Sequence, residues 1–175
     1  MYTISTQSQS NPADKYTPVQ VAGLRLLARG DYALADITNR LIKKGFDPIE
    51  VNQDLQLLVT KKWINDTRVA ENIWEYYKGQ KGDIFIKQKM QLKQVPRETI
   101  SDFFENLHAG ENQNQESQKS DPIDYKTIKR KLGNRYNIED WGKLDPKVKN
   151  KIYEYLARQG FRDIGSVLGR LVAYE

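Results

Sequence analysis

The chain contains no cysteine and a single histidine, His108. The first absence excludes disulfides, thiolate metal sites and a thiol nucleophile, and fits a protein made in a reducing compartment. The second removes most imidazole catalysis and metal ligation. Long apolar runs are missing as well. The stretch at 24–28 is already broken by Arg25, whereas roughly 20 consecutive apolar residues are needed to cross a bilayer. Residues 1–15 are rich in Ser, Gln, Asn and Thr and carry neither the basic nor the apolar region of a secretory leader. The expected location is cytoplasmic, with no membrane partner.

Nucleotide and metal motifs are equally scarce. A phosphate-binding loop needs glycines ending in Gly-Lys-Ser/Thr, and here Gly142-Lys143 is followed by Leu144. Glycines 160, 165 and 169 follow no strand, so they do not make a dinucleotide loop. Neighbouring carboxylates, Glu139 with Asp140 and Asp121 with Asp124, fall at helix starts, where acids suit the helix dipole. The expectation is a protein without catalytic residues, cofactor or metal, and not an enzyme.

What is present is charge. In 175 residues there are 28 Lys and Arg against 23 Asp and Glu, a net charge of +5, with 38% hydrophobic residues. That supports a lean core: one domain, or an array of small units. The charge is banded. Residues 1–121 hold 16 basic and 16 acidic side chains, and 122–175 hold 12 basic and 7 acidic, so the last third carries the entire excess. A second basic stretch, 61–97, has nine Lys or Arg against four acids.

Helix grammar runs throughout. Residues 1–16 read as disordered, and order begins at Thr17-Pro18, a hydroxyl cap followed by proline at the first helical position. Val19, Ala22, Leu26 and Leu27 form one apolar face; Leu34, Ile37 and Leu41 form the next, which stops at Gly45. Asp47-Pro48-Ile49-Glu50 reads as a capping box ahead of Val51, Leu55 and Leu58. Further helices carry Val69, Ile73 and Tyr76, then Ile86 and Met90, then Ile100, Phe103 and Leu107. Residues 108–121 contain no large apolar side chain and cannot repay their ordering entropy by burial, so they read as a polar insertion. Three more helices follow, the first with Tyr125, Ile128 and Leu132.

The helix ends repeat. Leu41-Ile42-Lys43-Lys44-Gly45-Phe46 returns as Leu156-Ala157-Arg158-Gln159-Gly160-Phe161, and a weaker copy, Leu92-Lys93-Gln94-Val95-Pro96, puts Gln94 where the others have glycine. The spacing predicts an all-α chain of tandem three-helix, helix-turn-helix-like repeats at 17–62, 63–107 and 122–175. Units stacked on their neighbours would form an elongated, curved, right-handed array.

The aromatics Trp63, Trp74, Tyr76 and Tyr77 are interleaved with Lys61, Lys62, Lys78 and Lys81, a mixture that single-stranded nucleic acid sites use for stacking and charge neutralisation. Ile73 and Tyr76 also share the core-facing stripe of a helix, which accounts for the aromatics as packing. The lysines of the middle unit, with Lys126, Lys129, Arg130, Lys131 and Arg135 in the last, fit contact with phosphates or an acidic protein surface.

Three segments resemble one family. These are Leu24-Arg25-Leu26-Leu27-Ala28-Arg29, Arg40-Leu41-Ile42-Lys43-Lys44-Gly45-Phe46-Asp47 and Trp63-Ile64-Asn65-Asp66-Thr67-Arg68-Val69-Ala70-Glu71. Together with Tyr155-Leu156-Ala157-Arg158-Gln159-Gly160-Phe161, they resemble the RecX regulatory proteins over about 19–107 and 125–172. The chain departs from that pattern at Val69, commonly Phe; at Ala33, often a Ser cap; and at the apolar Asp83-Ile84-Phe85-Ile86. The resemblance implies a non-enzymatic modulator that binds the RecA recombinase and its nucleoprotein filament; a monomer is the expected state, though the sequence leaves oligomerisation open. It implies mainly inhibition of recombinase, ATPase and co-protease activities, with single- or double-stranded DNA as a further ligand. The alternative is a direct DNA-binding protein with basic helix faces on phosphates. The residues assigned to partner or DNA binding are Lys78, Lys81, Lys87 and Lys93 in the middle unit, and Lys126, Lys129, Arg130, Arg158 and Arg162 in the last.

Overall fold

The structure, a computed structural model, describes residues 15–113 and 123–174. Among the described residues there are nine α-helices and no strand: α1 (Pro18–Leu27), α2 (Leu34–Lys43), α3 (Pro48–Thr60), α4 (Asp66–Tyr77), α5 (Asp83–Leu92), α6 (Arg97–Gln113), α7 (Tyr125–Tyr136), α8 (Pro146–Arg158) and α9 (Ile164–Ala173). A 3₁₀ turn, Trp141–Lys143, precedes α8. The chain forms two compact units, Met1–Val69 and Ala70–Glu175.

Capping sets the helix starts. At α1 the Thr17 hydroxyl accepts from the Gln20 N–H, and the Gln20 carboxamide oxygen accepts from the Thr17 N–H, both at 3.2 Å. Two otherwise orphaned donors are satisfied reciprocally. Asp47 opens α3 by accepting from the Ile49 and Glu50 N–H groups at 2.8 and 3.1 Å. Ala33 has no side chain with which to cap α2, and the cap arrives from a distant segment: Asp66 Oδ1 accepts the Leu34 N–H at 2.8 Å.

In the first unit Val51, Leu55 and Leu58 of α3 are fully buried against Val19 and Leu26 of α1 and Ile37 and Leu41 of α2. The sequence spacing predicts this arrangement. Tyr16 packs with Trp63 at 6.1 Å between ring centroids, so the ordered chain begins before the expected 17. The rest of the expected disordered start, 1–14, lies outside the described residues. In the second unit, Tyr125, Ile128 and Leu132 of α7 meet Ile152 and Leu156 of α8 and Val167, Leu168 and Leu171 of α9.

The repeated helix ends share one geometry. Gly45, Gln94 and Gly160 are left-handed, with φ of 95°, 59° and 82°. In each case the following N–H reaches back to a buried residue: Phe46 to the Leu41 carbonyl, Val95 to Met90 and Phe161 to Leu156, at 3.1–3.3 Å. This is the Schellman closure, which satisfies carbonyls the helix leaves unpaired. A fourth end has it without any glycine signal: Lys62 has φ 57° and Trp63 donates to Leu58 at 2.9 Å. A left-handed conformation costs a residue with a Cβ about 1–2 kcal/mol. Lys62→Gly is therefore expected to raise stability by about 0.5–1 kcal/mol after the added chain entropy. The reading is the urea midpoint at unchanged slope, and a lower midpoint would contradict the strain argument.

Two expected faces are displaced by one residue. Tyr76, placed on the core stripe of α4, is 76% exposed; Tyr77 is the ring turned inward, 5.3 Å from Phe85. On α6, Phe104 is the fully buried ring, while Phe103 is half-buried between Trp74 and Phe104. The backbone of α6 also continues to Gln113, past the 108 at which the polar insertion was expected to begin. Glu and Gln propagate a helix well even without an apolar stripe. Of that insertion, 114–121 lies outside the described residues.

Candidate functional site

The assigned cations fall on four places. Lys78, Lys81 and Arg162 line one cleft of about 330 Å³ in the second unit, together with Arg170 and His108. Lys126, Lys129 and Arg130 lie on α7. Lys87 is on α5 and Lys93 is its C-cap, while Arg158 is exposed in the last turn of α8.

The cleft is assembled by an unusual backbone contact. The Gly82 N–H donates to the Gln159 carbonyl at 2.9 Å, and the Ile84 N–H to the Gly160 carbonyl at 3.4 Å. The C-terminal carbonyls after α8 thus cap the N-terminus of α5, each end satisfying the other's orphaned groups. The Asp124 N–H adds a bond to the Gly79 carbonyl at 2.8 Å. A Cβ on Gly82 would fall on the Gly160 carbonyl, and one on Gly160 would fall on the Phe85 backbone nitrogen. Glycine at both positions is what lets the two segments touch.

Several of the lysines already have work inside the fold. Lys81 donates to the Gln159 side-chain oxygen and lies 4.8 Å over the Phe85 ring. Burial, and then the like charges of Lys131 and Lys89, hold its ammonium below the ordinary lysine value. Lys78 pairs with Glu75 at 2.5 Å and covers Trp74 at 4.8 Å. Lys87 sits 4.4 Å over Phe104. Lys129 donates to the Tyr174 carbonyl and lies 5.5 Å from the centre of Trp141. Lys126, Arg130, Arg158 and Arg162 are exposed.

Two further cations complete the picture: Lys131, part of the basic run of α7, and Arg170, which the charge pattern leaves unassigned. Arg170 lines the cleft and lies 6.0 Å over Tyr125, and Lys131 donates to the Gln80 side-chain oxygen at 2.7 Å. No spacing rule connects residues 80 and 131, because their proximity depends on the glycine contact. Among the described residues no three His, Asp or Glu side chains are grouped to hold a metal. His108 stands 3.4 Å from Asp83. No helix among them is long and apolar enough to cross a membrane. The arrangement brings charge, rings and an apolar floor together in one cleft.

No family model matches the chain. It is, however, 28% identical over 148 residues to the regulatory protein RecX of Haemophilus ducreyi, covering 84% of this chain and 86% of that protein. The chain is homologous to RecX regulatory proteins. It is 35% identical to RecX of Pasteurella multocida over about half of each chain (49% and 48%). With RecX of Haemophilus influenzae strain PittEE it shares 27% identity across 79% of this chain and 84% of that one. The crystal structure of RecX from Lactobacillus salivarius superposes with a TM-score of 0.68, at 20% identity, over 91% of this chain and 97% of that one. A second RecX crystal structure gives 0.63 over 87% and 72%. The all-α fold is therefore the RecX fold, and the resemblance first seen in the Leu41 to Asp47 and Trp63 to Glu71 segments extends over most of the chain.

Proposed function

We propose that the chain regulates the RecA recombinase by binding RecA and its filament on DNA, restraining strand exchange, ATP hydrolysis and co-protease activity without catalysing a reaction. The supporting observation is the RecX likeness in sequence and fold over most of the chain. The basic exposed face of α7 supports it from the physical side. Lys126 and Arg130 lie one turn apart there and project into solvent, where they meet phosphate or acidic side chains of a nucleoprotein filament. DNA alone is the competing ligand, favoured by the concentration of positive charge in 122–175.

Salt separates the two. Binding carried by phosphates weakens steeply as salt rises, with log K on single strands falling about 0.7 per phosphate neutralised for each decade, whereas an interface with an apolar centre persists. Co-sedimentation with RecA filaments on single-stranded DNA, and with that DNA alone, is the test at low and physiological salt. Filament binding that survives the higher salt, while binding to bare DNA falls away, is expected. Equal loss of both contradicts the recombinase reading and leaves a DNA-binding protein.

A further inference from the structure

The cleft beside the glycine contact has a composition that regulation of a filament does not call for. Its floor is apolar: Ile86, Tyr125, Phe161 and Val167 are buried, and Trp74 and Ile123 are half-buried. Its rim carries four cations, Lys78, Lys81, Arg162 and Arg170. The two acids in the lining are already engaged. Asp163 accepts the Ser166 N–H at 3.0 Å as the cap of α9, and Asp83 faces His108 at 3.4 Å.

From this geometry we infer that the cleft is a binding site for a phosphate monoester carried on a ring-sized apolar group, such as a nucleoside 5′-phosphate. Three considerations support that ligand class. A volume of about 330 Å³ lies at the small end of the roughly 300–1,000 Å³ typical of small-molecule sites, enough for one ring system and its phosphate. The exposed Arg162 guanidinium on the rim matches phosphate oxygens in a planar fork that a point charge does not reproduce. Desolvation and the like charges of Lys131 and Lys89 disfavour the Lys81 ammonium, and a dianion bound beside it on the rim would offset that repulsion. The ligand chemistry has two sources, a free nucleotide or the 5′-phosphorylated end of a DNA strand.

Isothermal titration of the full chain at about 0.15 M salt, where exposed charges are screened beyond roughly 8 Å, separates them. The probes are dAMP, inorganic phosphate, and one short single-stranded oligonucleotide with either a 5′-phosphate or a 5′-hydroxyl. The variants are Arg162→Ala and Lys78→Ala, both exposed positions, with circular dichroism as the folding control. Binding of dAMP that Arg162→Ala weakens at least tenfold supports a nucleotide site. Preference for the 5′-phosphorylated strand without dAMP binding, lost in the same variant, supports a strand-end site. The inference is overturned if neither probe binds, if inorganic phosphate binds as well as dAMP, or if both variants bind like the parent. Lys126→Ala with Arg130→Ala, the α7 variant that tests filament binding, should leave dAMP affinity unchanged, because neither residue lines the cleft. Failure here and failure of the recombinase reading are thus separately visible.

Discussion

Gly160→Ala is expected to destabilise the second unit by about 2–5 kcal/mol, against about 1–2 kcal/mol for Gly45→Ala. Both glycines close a Schellman motif with positive φ, 82° and 95°, so both lose the same backbone freedom, worth about 1–2 kcal/mol for a residue with a Cβ. They differ in surroundings. Nothing lies within 4 Å of a Cβ built on Gly45, whereas one on Gly160 meets the Phe85 backbone. Backbone cannot rotate away as a side chain can, and overpacking of this kind adds about 1–3 kcal/mol. Separation of the segments would also unmake the bonds from Gly82 and Ile84 to the Gln159 and Gly160 carbonyls. Urea unfolding of the two variants isolates the contact as the difference between them. Equal losses would show that the α5–α8 junction contributes nothing.

Reversing charge at Lys126 and Arg130 together is expected to weaken filament binding about 100-fold, or about 2.7 kcal/mol, while changing folding stability by less than about 0.5 kcal/mol each. Lys129, although assigned to the same face, is a poorer probe because its ammonium donates to the Tyr174 carbonyl and covers Trp141. Its reversal would disturb the end of α9. The one local cost of changing Arg130 concerns Asp124, the cap of α7. Hydrogen bonds from Thr127, and after them the charges of Lys131 and Arg130, hold its carboxyl below the ordinary aspartate value. A depressed carboxylate contributes stability that is complete above its unfolded value and lost as pH falls through its folded value. At neutral pH the cap is therefore ionised with or without Arg130, and the binding assay is unaffected by it. Retention of parent affinity by a folded double variant would remove α7 from the interface.

Much of this molecule is legible in its sequence because local rules act alone there. Thr17-Pro18, Asp47-Pro48 and the Leu41 to Phe46 and Leu156 to Phe161 endings all place caps and stops where the structure has them. Gln94 is the instructive case. It stands where glycine stands in the other two copies and still adopts the left-handed conformation, because the buried Met90 and Val95 on either side fix the turn. Periodicity fails where it has two equal answers. Positions three and four beyond Ile73 are Tyr76 and Tyr77, and those beyond Ile100 are Phe103 and Phe104; an α-helix of 3.6 residues per turn gives neither member priority. The tertiary contact of Tyr77 with Phe85 decides the first pair; in the second, Phe103 meets Trp74 while Phe104 is the fully buried ring. The same holds for the cap that Asp66 lends to α2 and for Arg68, which donates to Asp31 and to the carbonyls of Lys62 and Trp63. The candidate cleft is half legible in the sequence: charge alone points to Lys78, Lys81 and Arg162, but their convergence depends on two glycines, Gly82 and Gly160, 78 residues apart.

Restraint of a RecA filament through contact with the filament is the action proposed for this chain. DNA-dependent ATP hydrolysis by RecA on single-stranded DNA tests it most directly, with the protein titrated from well below one copy per recombinase to equimolar, at two salt concentrations. The account predicts that hydrolysis falls while the protein is still substoichiometric, and that the fall persists at the higher salt. Inhibition only when the protein is abundant enough to cover the DNA, and only at low salt, would contradict it.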